Sequence, residues 1–358
     1  MAHERPTLDT VAQAAGVSRM TVSNAYNRPD QLSAATRERV LAVAAELGYG
    51  GPDPAGRSLR RGSSGTVGVL LTERLAYAFT DPGLVSLLRG VATELGAAGQ
   101  SLLLVPSEAQ DAASSVRDAL VDAFVVCSME ESDAAVQAVL ARRIPIVTVG
   151  HPRLPGVPLL TIDNARAAGL AAEHLVELGH RRFGVLGLPG RAPGDTEHLD
   201  LPVRHGLRDR VAGFRRVVDA VPGTSVQVVD AVQHTHEEGV ELATGLLDVP
   251  ARERPTAVFA VTDVLALAAY DAARRLGIGV PGELSVVGFD DIDEAARATP
   301  PLTTVSQDLE HKGRVAARVA LDLVAGRRPR VPRLTAELVV RGSTGPAPRR
   351  RSPRPSET

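Results

Sequence analysis

TLDTVAQAAGVSRMTVSNAYN, residues 7–27, decides how the rest of the chain is read. Leu8, Val11, Ala12 and Ala15 recur at helical spacing, so one face of a first helix is apolar or small. Gly16 follows at once, where a helix end needs a residue that tolerates a left-handed backbone. Ser18 is placed to cap a second helix by accepting the N–H of Met20 or Thr21. Val22 returns toward Val11 and Val17 and closes a small core. Arg19, Met20, Ser23 and Asn24 are then left outward near the start of the second helix. A helix-turn-helix reads base edges in the major groove with this part of its second helix. An ordinary αα-hairpin fits the same spacing. A packing helix, however, carries more inward apolar side chains than Val22 and Tyr26.

Residues 33–47 continue in the same style. Ser33 is the N-cap, Val40, Val43, Ala44 and Leu47 form one stripe, and Gly48 ends the helix, giving a three-helix head. Residues 52–62, PDPAGRSLRRG, break with prolines and then set one large apolar residue, Leu59, among arginines. By composition this is a flexible linker.

Val11-Ala12, Ala15-Gly16-Val17-Ser18, Thr21-Val22-Ser23 and Asn27 together closely resemble the head of the lactose-repressor-like (LacI/GalR) family of bacterial regulators. Residues 33–49, SAATRERVLAVAAELGY, resemble that family's third helix. The resemblance implies a dimeric, ligand-responsive protein that binds a pseudo-palindromic operator. It implies DNA contacts from Thr7, Ser18, Arg19, Met20, Thr21, Ser23, Asn24 and Asn27. It also turns residues 52–62 into a hinge helix that forms on DNA, with Arg57 among the DNA contacts and Leu59 wedged into the minor groove. Gly56 departs from the more usual alanine and disfavours helix by ~1 kcal/mol. The extra glycine of Gly50-Gly51 is a second departure, and both make hinge folding depend more on the operator.

From Thr66 onward the grammar is different. Apolar strands are expected at residues 67–71, 101–105, 123–128 and 144–149, separated by helices at 82–98, 109–120 and 131–142. The rhythm repeats with strands at 183–188, 226–230, 257–261 and 284–289, and helices at 165–178, 208–220, 237–247 and 264–276. Short apolar strands alternating with helices predict parallel sheets covered on both faces. Two such sets predict two doubly wound lobes, with a ligand cleft at the carboxyl ends of the strands.

Residues 171–187, 210–214, 280–291 and 300–307 resemble the same family's effector-binding core, itself similar to periplasmic sugar-binding proteins. The expected fold is therefore an all-α three-helix helix-turn-helix head plus an α/β periplasmic-binding-protein-like core of two doubly wound lobes. The divisions are residues 5–62 for head and hinge, 65–342 for the core and 343–358 for a disordered basic tail. The resemblance places lobe crossings near Ile162, Asp290 and Gly326.

Asp163, Arg210, Thr262, Asp263, Asp290 and Gln307 fall at strand ends or helix starts, which rim such a cleft. Carboxylates and planar Arg or amide groups suit hydroxyl-rich ligands because they form paired, directional hydrogen bonds. N-capping accounts equally well for Asp263. The family match assigns Arg210 and Asp290 to effector contact, with Asp290 facing Arg210 across the cleft. Arg210→Ala is then expected to spare ligand-free operator binding. Tyr77 and Phe79, two of ten aromatics, suit either stacking on a ligand or lid packing.

Bulk properties narrow the classes. A chain of 358 residues with 44% hydrophobic and 23% charged residues buries a sizeable core and spans more than one domain. No run is long and apolar enough to cross a membrane, and the N-terminus lacks an apolar signal region, so a cytoplasmic protein is expected. The single cysteine, Cys127, forms no internal disulfide and reads as a buried thiol. The 40 basic residues include one lysine, Lys312. His180, beside Arg181 and Arg182, is expected to serve the dipole of a helix end. His234 and His236 lack a third ligand, so no metal and no cofactor are expected. Gly184, Gly187 and Gly190 have the wrong spacing for a dinucleotide fingerprint, and no nucleophile elbow or phosphate loop occurs. An operator-binding regulator, most readily a repressor governed by a small polar, sugar-like effector, is the resulting reading. A core that answers to a partner protein, or to no ligand, is the alternative.

Overall fold

The structure is a computed structural model, and it describes residues 6–51, 62–71, 75–107, 112–187, 205–231 and 235–348. Two compact units result, Met1–Gly65 and Thr66–Thr358.

The first unit packs helices α1 (Leu8–Ala15), α2 (Arg19–Asn27) and α3 (Ala34–Glu46) around Val11, Val22, Ala25, Val40 and Ala44. Thr7 and Thr10 form a reciprocal cap on α1, and Gly16 closes it at φ 65°. Ser18 accepts the N–H of Thr21 at 3.1 Å, the second of its two expected partners. Two expectations fail here. Ser23 is buried rather than outward, because one residue advances a helix by about 100° and leaves it at the edge of the face packed by Val22. Leu47 is exposed, since α3 stops at Glu46 and Tyr49 packs edge-to-face on Tyr26 instead, with ring centres 6.0 Å apart. Residues 52–61, with Arg57 and Leu59, lie outside the described residues.

The second unit holds two sheets. Lobe 1 contains β1 (Thr66–Leu71), β2 (Ser101–Pro106), β3 (Ala123–Cys127), β4 (Ile146–Val149) and β5 (Leu159–Leu160), all parallel in the order β2-β1-β3-β4-β5. Lobe 2 contains β6 (Arg182–Gly187), β7 (Ser225–Asp230), β8 (Ala257–Ala260), β9 (Ser285–Asp290), β10 (Thr303–Ser306) and β11 (Glu337–Val339). Their order is β11-β10-β9-β8-β6-β7, with only β11 antiparallel. Interior strands are buried along nearly their whole length, as coverage on both faces demands. The edge strands β2 and β7 are only partly covered.

Helices α4 (Pro82–Ala97), α5 (Ala112–Asp118) and α6 (Ala134–Ala141) belong to lobe 1. Lobe 2 has α7 (Asn164–Glu177), α8 (His205–Val218), α9 (His236–Leu247), α10 (Asp263–Arg275) and the short α11 (Asp293–Arg297). The long α12 (Leu309–Val324) comes late in the chain yet packs on α4 and beneath β3 and β4 of lobe 1. One lobe crossing is thereby corrected. The chain stays in lobe 2 past Asp290, adds β10, and crosses at Gln307-Asp308. Strand β10 pairs with β9 in register, so the sheet is not finished at Asp290.

The tail is also corrected in part. The Ser343 hydroxyl donates to the Val286 carbonyl at 2.6 Å, Gly345 N–H to Ser285 Oγ at 3.1 Å, and Ala347 N–H to the Leu178 carbonyl at 2.9 Å. A Ser/Gly/Pro composition reads as disorder, but these backbone groups are taken up by lobe 2. Residues 349–358 lie outside the described residues.

Candidate DNA-reading helix and inter-lobe site

The start of α2 presents what a base-reading helix needs. Arg19 and Met20 are exposed, each at 67%. Arg19 Nε lies 2.9 Å from Asp9, an exposed pair that holds the side chain weakly and releases it readily to a stronger acceptor. Thr7 and Ser18 are exposed caps, and Thr21, Asn24 and Asn27 are half-buried. Asn24 donates to Gln31 at 3.3 Å, whereas Asn27 is turned back on Ser23 at 3.0 Å and is committed within the head.

In the core, the carboxyl ends of β9 and β10 and the first half of α8 bring Arg210, Asp290 and Gln307 together. Arg210 is buried. Its guanidinium donates to Asn164 Oδ1 at 3.0 Å, to the Val261 carbonyl at 2.6 Å and to Asp290 Oδ1 at 3.2 Å. The same group lies over the Phe289 ring, 3.6 Å from its centre. Burial pulls the Arg210 pKa down, and the Asp290 carboxylate pushes it back up. Gln307 Nε2 donates to Asp290 Oδ1 at 2.6 Å, and Lys312 Nζ donates to Gln307 Oε1. Asp290 holds φ at 116°, an unusual value for a residue with a side chain. Arg210 and Asp290 were expected to face each other across the cleft. They belong to one lobe and pair directly, because the second crossing comes after β10.

Two cavities flank this row of polar groups. One, of about 540 Å³, has Phe79, Val85 and Arg89 of lobe 1 on one side and Asp290 and Asp293 of lobe 2 on the other. The second, of about 420 Å³, is lined by Met129 and His151 from lobe 1 and Asn164 and Asp209 from lobe 2. There His151 Nε2 accepts the Gly206 N–H at 3.2 Å and links the lobes. Phe79, 68% exposed, thus shares a cavity with Asp290. The Tyr77 side chain lies outside the described residues.

Three expected cleft residues have other duties. Asp163 caps α7 by accepting the Arg166 N–H at 2.9 Å. Thr262 is the buried N-cap of α10. Asp263 is fully buried behind β9, accepting the Thr304 hydroxyl at 2.5 Å and the Ile292 N–H at 2.9 Å. A Cβ at Gly288 would stand 2.1 Å from its Oδ1, so that glycine makes room for the carboxyl. A strand-end position marks the neighbourhood of a cleft but not which way the side chain turns.

Burial raises the Asp263 pKa to about 7, the charge of Asp290 adds to the rise, and the bonds from Thr304 and Ile292 oppose it. Between about 4 and 7 the folded state then holds a proton that the unfolded chain has lost, so this group makes stability fall as pH rises. Asp263→Asn fixes the neutral form and keeps both bonds, because the Thr304 hydroxyl is able to accept as well as donate. The pH slope of the melting temperature over that window should flatten in the variant. An unchanged slope would show that Asp263 is already ionised.

Lys312, Asn164 and Phe289 went unrecognised in the sequence. For Lys312 a signal existed. The sole lysine lies on the same helical face as Val315, Ala316 and Val319, which are buried. His180 is a correction of kind. It is fully buried, with Nδ1 2.9 Å from Thr256 Oγ1 and Nε2 3.1 Å from the Gly345 carbonyl. Burial lowers its pKa, so it fastens the tail as a neutral ring rather than serving a dipole as a cation. Burial pushes the Cys127 thiol up to about 12, which leaves no nucleophile there. His236 pairs with Asp271 at 3.0 Å, and His234 lies outside the described residues. Among the described residues no helix is long and apolar enough to cross a membrane.

The model of bacterial regulatory proteins of the lacI family matches residues 7–51, and that of the periplasmic binding protein-like domain matches residues 172–344. An HTH-type transcriptional regulator of Mycolicibacterium smegmatis is 40% identical over 361 residues, spanning 96% of this chain and 97% of its own. The lac repressor dimer bound to operator and the anti-inducer ONPF superposes with a TM-score of 0.74 at 25% identity, over 96% of this chain and all (100%) of its own. A complex of the transcriptional regulator CelR with cellobiose gives 0.64 at 32% identity, over 95% and 100% respectively. A head with an exposed reading helix, a two-lobed core and a relative this similar along nearly its whole length place the chain in the lacI family of bacterial regulatory proteins, as a DNA-binding transcriptional regulator and not an enzyme.

Proposed function

We propose that this regulator is a homodimeric repressor whose operator affinity is set by a small polar, sugar-like effector bound between the lobes. The observation that carries the reading is the Arg210–Asp290–Gln307 cluster, polar and largely buried, beside cavities whose walls come from both lobes. A ligand that contacts both lobes favours one lobe arrangement over another, which is what control of a second activity requires. The operator-bound lac repressor and the cellobiose complex of CelR support the repressor role and the sugar-like class.

In this reading Arg19, Met20 and Asn24 choose the operator, aided by Thr7, Ser18, Thr21 and Ser23. The paired hinges, with Leu59 as wedge and Arg57 as a further DNA contact, sit in the minor groove between half-sites. The effector contacts are Phe79, Arg210, Asp290 and Gln307, with Tyr77 beside them, whereas the capping duties of Asp163 and Thr262 and the burial of Asp263 make those three supports.

The test begins with selection on random DNA. Arg19 is suited to pair bidentately with guanine, so Arg19→Ala should cost ~1–3 kcal/mol and relax preference at one base pair per half-site. The selected operator then serves to screen sugars for release of wild-type protein. An unchanged motif in the variant would remove Arg19 from base reading. A core that neither melts higher nor releases DNA with any sugar would favour control by a partner protein.

A further inference from the structure

The one lysine of the chain stands beside a lobe crossing with its charge buried. Lys312 lies near the start of α12, on the face that Val315, Ala316 and Val319 bury in the core of lobe 1. An ammonium only donates hydrogen bonds, and an ionised carboxylate only accepts them. Lys312 Nζ donates to Gln307 Oε1, and Gln307 Nε2 donates to Asp290 Oδ1 at 2.6 Å. The Gln307 amide is therefore oriented from both ends, and turning it over would break both charge-assisted bonds at once. Asp290 Oδ1 also takes the Arg210 guanidinium at 3.2 Å, so a row of four largely buried side chains runs from α12 to α8.

That row spans the joint between the lobes. Gln307 follows β10 of lobe 2, Asp308 turns the corner at φ 43°, and Lys312 already belongs to lobe 1. Of the four, only Asp290 stands in the wall of the 540 Å³ cavity. An apolar side chain at position 312 would pack beside Val315 and Ala316 without the cost of burying a charge. Packing thus gives no reason for the lysine, whereas a fixed amide donor on Asp290 does. We infer that Lys312 is a positioning residue of the effector site: from lobe 1 it holds the Gln307 amide on Asp290, so that the carboxylate in the cavity wall answers to the position of α12. Rotation of lobe 1 about the joint moves Nζ relative to Oε1 and loosens the Gln307 donor from Asp290. A ligand bound at Asp290 favours one setting of the tie in return, because coupling between sites is reciprocal. This last step rests on the cleft being the effector site, while the tie itself is made without a ligand.

The experiment uses the full-length, ligand-free protein at pH 7. Burial and the nearby Arg210 pull the Lys312 pKa down to about 8, which leaves it a cation there. Urea unfolding is followed for Lys312→Met, Asp290→Asn and the double variant, first with Gln307 present and then in a Gln307→Leu background. The two positions should be coupled at least fivefold in the unfolding equilibrium constant with Gln307, and less than twofold without it, where only direct attraction between the charges is left. Affinity for an operator selected from random DNA should change at least fivefold in Lys312→Met and stay within twofold of wild type in Lys312→Arg, which keeps a cationic donor. The arginine variant also decides the matter if Gln307→Leu does not fold around the lysine. A coupling below twofold with Gln307 present overturns the inference, as does one that Gln307→Leu leaves unaltered. Equal changes of operator affinity in the methionine and arginine variants would come from packing and overturn it too. Coupling that depends on Gln307, beside an operator affinity that neither variant moves, upholds the tie and sinks control of DNA binding through the cleft instead.

Discussion

Replacing Arg210 with alanine is expected to destabilise the core by about 3–5 kcal/mol, because it leaves the Asp290 carboxylate partly buried without its guanidinium. The bonds to Asn164 and the Val261 carbonyl and the stacking on Phe289 go with it. Sequence reasoning alone expected a variant silent in the absence of ligand. The structure changes that, since Arg210 is a buried tie within lobe 2 before any effector arrives. The measurement is urea unfolding of Arg210→Ala, Asp290→Asn and the double variant. Asp290→Asn alone should cost less, and the double variant should recover part of the loss, giving a coupling well above 0.5 kcal/mol. Strictly additive losses would mean that the pair does not interact. Below its melting temperature the Arg210→Ala protein should still select the wild-type operator motif, because that choice is made by the head.

Gly313→Ala is expected to be the most damaging single-methyl change in lobe 1. A Cβ at Gly313 would stand 2.0 Å from the Leu87 carbonyl oxygen, and one at Gly90 would stand 2.0 Å from that of Glu310. Helices α4 and α12 therefore meet backbone to backbone through two glycines, and no side chain is available to swing aside. Alanine favours an isolated helix by about 1 kcal/mol over glycine. Overpacking against a rigid backbone costs about 1–3 kcal/mol or more and wins. Thermal melts of Gly313→Ala and Gly90→Ala test this. A melting temperature equal to wild type in both would show that the helices do not pack as closely as described.

Much of this was legible without coordinates. The head follows from Gly16, Ser18 and the Val11–Val22 spacing, because helix caps and apolar periodicity are local properties that neighbouring residues enforce. The βα rhythm is legible for the same reason. A parallel strand buried on both faces must be apolar throughout, and the helices covering it must start and stop within short loops. Strands β10 and β11 and helix α12 escaped notice because the first two are three or four residues long, and because the sequence does not say which lobe a helix will join.

Side-chain direction and pairing over long separations belong to the tertiary structure alone. Ser23 and Asn24 are neighbours in a helix, yet one is buried and the other half-exposed, which depends on where α1 and α3 sit. Thr262, Asp263 and Asp290 look alike as strand-end polar residues. Only packing makes the first a cap, the second a buried brace for β10 and the third the partner of Arg210, eighty positions away. The sequence by itself determined that this chain reads DNA through a helix-turn-helix and carries a two-lobed sensor, since those are statements about local periodicity and element order. Which polar groups meet between the lobes was decided by the folding of distant segments onto one another.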